Sequence, residues 1–207
     1  MTSSQKAKGS AFEREVAKFL SELYSESFIR NISGSGAYVG GKNFHRTSKL
    51  SEQQILSTRG DIHCPETFSN LNIECKSYAQ FEFHQLLSES KQLETWLEQM
   101  MTVSDEHSLN VLCFKITRRG RYVAVQTHID WALPFNHSLY HSKKHGNWYV
   151  MSFESFFDYN HELVDLLSKK TQLDNTTQNR AGSTTLDLNS DLNSDITHKN
   201  PYRNVSI

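Results

Sequence analysis

The chain has 207 residues, of which 37% are hydrophobic and 11% aromatic, and its formal net charge is −1. This composition is typical of a globular protein with one sizeable core. The chain has no signal-like apolar start and no run of about 18 apolar residues, so we expect a soluble cytoplasmic protein that neither is exported nor spans a membrane. The near-neutral charge does not by itself indicate a nucleic-acid-binding protein, whose domain is more often strongly basic.

The N-terminal part of the chain predicts one helix, one strand and a long connection. Apolar residues recur at helical spacing over residues 11 to about 25, and Ser10 stands at the position of an N-cap. The segment SFIRNIS then predicts a first strand, which ends at the glycine-rich segment 34–41. The polar connection that follows is long for a compact domain, and we interpret residues 38–58 as a flexible insertion.

The remainder of the chain predicts alternating strands and helices, and then a tail. Strands 60–64 and 71–78 flank the turn signal PETFSN and should pair as a hairpin. The apolar pattern predicts further elements, which are helix 84–102, strands 109–117, 121–127 and 148–153, and helix 154–168. Residues 1–170 therefore predict one α/β domain with a central mixed sheet flanked by helices, and the Asn/Ser/Thr/Asp-rich residues 171–207 predict a disordered polar tail.

One strand of the predicted hairpin places an acid and a base on a shared face. Because side chains alternate along a strand, Ile73 and Cys75 point to one face, and Glu74 and Lys76 point to the other. Asp61 begins the preceding strand, and pairing of the two strands would bring its carboxylate to Glu74. Two carboxylates with room for water and phosphate oxygens are typical of a Mg²⁺ site, beside which Lys76 supplies a positive charge.

Two simpler interpretations compete with a metal site. A cross-strand Glu/Lys pair on a surface hairpin would contribute only about 0.2–1 kcal/mol of stability. The same E-x-K pattern also occurs at Glu89 and Lys91. There it falls within a predicted helix, where residues two apart point about 200° from each other and cannot bind one ligand. Strand geometry therefore favours Glu74 and Lys76 as the functional pair.

Four segments resemble, in their order along the chain, the motifs of a known group of enzymes: KGSAFEREVAKFL, NISGSGA, GDI and IECKS. They are similar to the motifs of the PD-(D/E)xK nuclease superfamily, and within it most of all to those of the archaeal-type Holliday junction resolvases. The resemblance covers residues 8–101. It implies a restriction-endonuclease-like core, a Mg²⁺-dependent DNA endonuclease in which Mn²⁺ could substitute, branched DNA as the substrate, and a homodimer.

The same resemblance assigns roles to individual residues. Asp61 and Glu74 correspond to the metal-binding acids, and Lys76 corresponds to the catalytic lysine. Glu13 corresponds to a helix glutamate that completes the metal site, and Ser35 corresponds to a serine of a loop near the substrate. The proline expected before the aspartate is glycine in this chain, and the connection before Asp61 is longer than in the compact members.

The residues themselves leave the role of Glu13 open. Ser10 and Glu13 fit a capping box, in which the glutamate would bind only a backbone N–H at the start of the helix. Glu15 flanks the apolar face of the helix equally well. The resemblance alone prefers Glu13 as a site residue.

Basic residues in predicted turns and loops are candidates for contact with DNA phosphates. The turn signal KITRRGRY is the first choice, since Arg and Tyr on a protruding turn can contact phosphate and stack on unpaired bases. The predicted DNA-binding residues are Ser35, Arg59, His63, Arg118, Arg119, Arg121, Lys143 and Lys144. For His63, an ordinary polar strand residue is the competing interpretation.

A second metal site is suggested by histidine spacing alone. His137, His141 and His145 recur every four residues, as zinc ligands on one face of a helix would. Pro134 and Gly146 argue against a helix there, so we favour a loop that faces phosphate.

The sequence therefore predicts a Mg²⁺-dependent endonuclease that hydrolyses DNA phosphodiester bonds, at branched DNA according to the resemblance. Two alternatives stay open. One is another repair or restriction nuclease of the same superfamily, and the other is a nucleic-acid-binding or regulatory protein that has the fold without catalysis. The joint presence of Asp61, Glu74 and Lys76 argues against the second, since an inactive site would be expected to lose one of them.

Overall fold

The computed structural model describes the backbone of residues 3–31 and 59–169, and the side chains of residues 7–31 and 59–169. The predicted insertion 38–58, Ser35 and the predicted tail 171–207 lie outside the described residues. No helix within the described ranges is long and apolar enough to cross a lipid bilayer.

The described residues form an α/β fold in which three α-helices flank a mixed β-sheet. The helices are α1 (Ser3–Tyr24), α2 (Lys91–Met101) and α3 (Phe153–Ser168). The strands are β1 (Ile29–Arg30), β2 (Ile62–His63), β3 (Leu71–Tyr78), β4 (Leu109–Ile116), β5 (Gly120–Gln126), β6 (His137–Ser142) and β7 (Gly146–Ser152). The central sheet of this described part has five strands in the order β3-β4-β5-β7-β6, and β1 and β2 form a separate ribbon. The fold class predicted from the sequence is confirmed.

Each face of the central sheet is covered by a separate apolar core. Ile73 and Val111 contribute to the face that packs against α1 and α3. Leu112 and Phe114 contribute to the opposite face, which packs against α2. Because β3 is buried on both faces, Glu74 occupies a position where an apolar side chain would be expected, and it is only 5% exposed. A buried carboxylate lowers stability unless it is compensated, which points to a functional reason for its presence.

Helix α1 is longer than the sequence pattern predicted. It begins at Ser3 rather than after Ser10, because the residues before Ser10 include strong helix formers such as Lys and Ala. Ser10 and Glu13 therefore both lie inside the helix. The capping-box interpretation of Glu13 is wrong.

The segment predicted as helix 84–102 divides into two parts. A short 3-10 helix spans Phe83–Leu87, and α2 begins at Lys91 with Ser90 as its N-cap, whose hydroxyl accepts from the Leu93 N–H (3.3 Å). Glu89 thus precedes the helix, and the prediction that the second E-x-K lies within it is wrong. Its carboxylate forms an exposed ion pair with Lys143 (2.7 Å).

The predicted hairpin between strands 60–64 and 71–78 is also wrong. Strand β2 pairs antiparallel with β1, while β3 pairs in parallel with β4 across the connection through α2. The segment between β2 and β3 forms a 3-10 helix, Glu66–Phe68, whose Phe68 enters the core, so it is not a tight turn that could align two strands. Asp61 nevertheless remains beside β3.

Strand β6, with the histidines of the predicted loop, was not predicted. It is the edge strand of the sheet and buries only Tyr140 and Ser142, so its sequence shows little apolar alternation. His141 bonds to Asn147 within the β6–β7 hairpin (2.6 Å), and His145 lies at its turn beside Glu98 (3.0 Å). The three histidines therefore do not share one helical face.

Candidate active site

Asp61 lies at the outer edge of β3, on the side away from β4. Its backbone N–H donates to the carbonyl oxygen of Ile73 (2.8 Å), and its Oδ2 accepts from the N–H of Cys75 (2.8 Å). The carbonyl oxygen of Asp61 points away from β3 and accepts from the N–H of Asn31, the residue that follows β1 (2.8 Å). The carboxylate thus occupies the place that a main-chain carbonyl would take in a strand ladder, which fixes its position relative to β3.

Gly60 permits this close approach. Its φ is +57°, and a Cβ atom at this position would lie 2.4 Å from the Ile73 carbonyl oxygen. The Gly60 carbonyl oxygen accepts from the Asn31 side chain (Nδ2, 3.2 Å). A glycine before Asp61 is therefore required both by the left-handed backbone conformation and by the space beside β3.

Glu74 and Lys76 lie on the same face of β3, as strand alternation requires. The Lys76 Nζ donates to the Glu74 Oε1 (2.5 Å), and their side chains are only 16% and 7% exposed. Burial acts to lower the pKa of the Lys76 amine, but the adjacent Glu74 carboxylate outweighs it and raises that pKa above its ordinary value. Lys76 is therefore a charged group at neutral pH.

The Asp61 carboxyl is buried near other acids, and its surroundings raise its pKa. Burial is the largest cause that raises this pKa, to about 7, and the Glu74 and Glu13 carboxylates raise it further. The Lys76 ammonium and the Cys75 N–H act in the opposite direction without cancelling the rise. Since the unfolded chain releases this proton at a lower pH than the folded chain does, Asp61 makes the protein less stable as pH rises from about 4 to about 7.

Glu13 and Glu15 of α1 have different surroundings. Glu13 forms an ion pair with Arg30 of β1, and its charge contributes to the raised pKa of Asp61. Glu15 forms an ion pair with Lys115 of β4 (2.7 Å). The structure therefore brings Glu13 toward Asp61. Arg30 was not predicted as a site residue, although its place at the end of a strand before the glycine-rich segment is a usable signal.

Two of the predicted DNA-binding arginines have acidic partners within the fold. Arg121 forms ion pairs with Glu154 (2.7 Å) and Glu15 (3.1 Å) and thereby links β5 to α3 and α1. Arg59 forms an ion pair with Asp105, and its side chain is 15% exposed. These contacts give both guanidinium groups a structural role.

The other predicted DNA-binding residues lie at different places on the surface. Arg118 and Arg119 are exposed in the β4–β5 turn, at the same end of the sheet as the last residues of β3. Lys143 and Lys144 lie in the β6–β7 turn, which the antiparallel register places at the opposite end of the sheet. His63 is exposed on the ribbon strand β2. The structure therefore places Arg118 and Arg119 at the end of the sheet where β3 ends, and Lys143 and Lys144 at the other end.

The carboxylates of Asp61 and Glu74 are the oxygen donors that this site offers to a metal ion. Within the described ranges, no group of three or more His, Cys, Asp or Glu side chains is placed to hold a metal by itself. Asp61 and Glu74 supply two carboxylates whose repulsion a cation would relieve. This is the donor set of an ion such as Mg²⁺, which takes one or two protein carboxylates and completes its shell with water and phosphate oxygens.

A comparison with protein families matches most of the described fold. The family model described as "Phage putative PDDEXK endonuclease" matches residues 4–162, which include Glu13, Asp61, Glu74 and Lys76. No curated protein and no solved structure matches the chain. Because the match covers well over half of the chain, the protein belongs to this phage PDDEXK endonuclease family, within the PD-(D/E)xK superfamily.

Proposed function

We propose that the protein is a divalent-metal-dependent DNA endonuclease and that Asp61, Glu74 and Lys76 carry its reaction. One observation supports this more than any other: the Cys75 N–H holds the Asp61 carboxylate at β3 (2.8 Å), where both Asp61 and Glu74 are buried, and burial first and the Glu74 charge second raise the pKa of Asp61 to about 7. Two buried acids in this arrangement destabilise the fold, and a structural role alone gives no reason for them. Perturbed acids of this kind are typical of functional sites.

The proposed mechanism is hydrolysis of a phosphodiester bond. Mg²⁺, or Mn²⁺ in its place, held by Asp61 and Glu74, would supply positive charge to the phosphate in the transition state, and Glu13 would add negative charge near the cation. The Cys75 N–H and the Asn31 N–H hold Asp61 in its orientation. The charged Lys76 orients the attacking water or balances the negative charge that develops on the phosphate.

The resemblance to the junction resolvases adds two finer proposals, which are branched DNA as the substrate and a homodimer as the active assembly. Cutting both strands at a branch requires two sites, and a symmetric dimer would supply them. These proposals rest on the motif resemblance, whereas the proposed chemistry also rests on the geometry of the site.

An assay with labelled DNA tests the proposed function. The full chain is incubated with linear duplex, single-stranded, flap and four-way junction DNA, in the presence of Mg²⁺ or of EDTA. We expect internal cleavage in Mg²⁺ and none in EDTA, with branched substrates cut faster than linear duplex. Binding without metal-dependent cleavage, equal for the wild type and Glu74→Ala, would refute the enzyme and support a binding protein that has only the fold.

A further inference from the structure

The face of β3 that carries Glu74 and Lys76 continues into an exposed aromatic side chain. Tyr78 follows Lys76 by two residues, so both side chains point to the same face, and Tyr78 is 36% exposed. Its ring packs against Trp96 of α2, with 5.1 Å between the ring centroids. Among the described residues, none forms a hydrogen bond with its hydroxyl. An aromatic ring therefore stands open to solvent beside the candidate catalytic lysine.

The β4–β5 turn places two positively charged side chains next to Tyr78. The parallel register pairs Tyr78 with Ile116, and the N–H of Thr117 donates to the Tyr78 carbonyl oxygen (3.0 Å). Arg118 and Arg119 follow directly and are exposed. Within the described ranges, neither arginine has an ion-pair partner, because the acids of nearby elements pair with other bases.

Tyr122, the tyrosine of the KITRRGRY segment, is not free to stack on a base. Its hydroxyl donates to the Arg119 carbonyl oxygen (2.9 Å). Its ring lies between Phe83, at a centroid distance of 4.8 Å, and Phe114, at 5.3 Å. Tyr122 supports the turn, and Tyr78 is the aromatic side chain that the fold presents beside the site.

We infer that Tyr78 stacks on an unpaired base next to the phosphate that the site hydrolyses, while Arg118 and Arg119 contact the neighbouring phosphates. The substrate is then DNA with single-stranded nucleotides at the point of cleavage. A base within a duplex is covered on both sides by its neighbours, so only an unpaired base can receive the ring. The arginines complement the charge of the strand. This inference rests on the proposed function, since it takes the Asp61 site as the place of cleavage.

DNA binding, measured in EDTA so that no metal-dependent cleavage occurs, tests the inference. The full chain in EDTA is titrated, by fluorescence anisotropy, with a labelled single strand, with the same strand in a duplex, and with a duplex that carries a single-stranded flap. Tyr78→Leu should weaken binding to the single strand and the flap roughly 10-fold and leave the duplex unchanged. Tyr159→Leu, a matched change at a tyrosine of α3 that is 59% exposed, should change none of the three.

The arginines have their own control. Arg118→Ala should weaken binding to all three DNAs. It should also reduce, by about one, the steepness with which the logarithm of the affinity falls with the logarithm of the salt concentration. Lys169→Ala, a change beside Asn70 at the start of β3 and thus at the opposite end of the sheet, should do neither. Equal weakening by both changes would overturn the inference that Arg118 and Arg119 in the β4–β5 turn contact the DNA phosphates.

A measurement on the wild-type protein covers the case in which Tyr78→Leu does not fold. A 2-aminopurine base in the flap should lose fluorescence when the protein binds, because it stacks on the ring. Unchanged fluorescence, or an equal loss of duplex and single-strand binding in Tyr78→Leu, would overturn the inference.

The cleavage assay separates failure of this inference from failure of the proposed function. Metal-dependent cleavage without any preference for unpaired nucleotides would overturn the inference and leave the proposed function standing. Tyr78-dependent binding without cleavage would overturn the proposed function instead.

Discussion

Replacing Glu74 by glutamine should lower the rate of metal-dependent DNA cleavage by about 100-fold or more, which corresponds to a loss of about 2.7 kcal/mol or more of transition-state stabilisation. Glutamine keeps the shape of the side chain and removes the charge that would hold the cation beside Asp61. The rate is measured under single-turnover conditions on the flap DNA, and circular dichroism confirms that the variant is folded.

The chain supplies a matched control for this change. Glu89 belongs to the second E-x-K sequence and also forms an ion pair with a lysine, Lys143 (2.7 Å), but on the exposed surface. Glu89→Gln should cleave at the wild-type rate. If both variants are equally active, the buried pair is structural and the site assignment is wrong.

Replacing Gly60 by alanine should lower the free energy of unfolding by about 3 kcal/mol or more, from the sum of left-handed strain and overpacking. The added Cβ would lie 2.4 Å from the Ile73 carbonyl oxygen, which belongs to the rigid backbone of β3. Relief of this clash must move Asp61 away from the Cys75 N–H, so cleavage should fall together with stability. Urea unfolding followed by tryptophan fluorescence measures the first effect.

Gly146 separates the clash from the backbone strain. Its φ is +74°, yet a Cβ there would meet nothing within 4 Å. Gly146→Ala should therefore lower the free energy of unfolding by only about 1 kcal/mol and leave cleavage intact. Equal losses in the two variants would show that close packing of Gly60 on β3 contributes nothing.

The sequence predicted the elements with strong apolar patterns and missed those that depend on tertiary contacts. Strand β3 has the predicted bounds, because the buried apolar side chains of Leu71, Ile73 and Cys75 alternate along its sequence. Strand β6 was missed because an edge strand needs few buried side chains. The pairing of β2 could not be predicted, since it depends on β1 and on the Asp61 carboxylate at the edge of β3.

The same distinction applies to the site. Strand alternation was enough to place Glu74 beside Lys76, because it depends on local geometry alone. The choice between Glu13 and Glu15 needed the contacts of α1 with β1 and β4. Arg59 resembled a DNA contact in sequence, but its ion-pair partner Asp105 lies 46 residues further along the chain. Partners so distant in sequence leave no local signal.

The central claim is that Asp61 and Glu74 together bind one divalent cation, and the thermal stability of the wild type and of Asp61→Asn tests it most directly. Without metal, the melting temperature of the wild type should fall between pH 5 and pH 8 by more than that of Asp61→Asn, since ionisation of this carboxyl, whose pKa is about 7, destabilises the fold. At pH 8, Mn²⁺ should raise the melting temperature of the wild type and leave that of Asp61→Asn unchanged. An equal rise in both proteins, or none in either, would contradict the account.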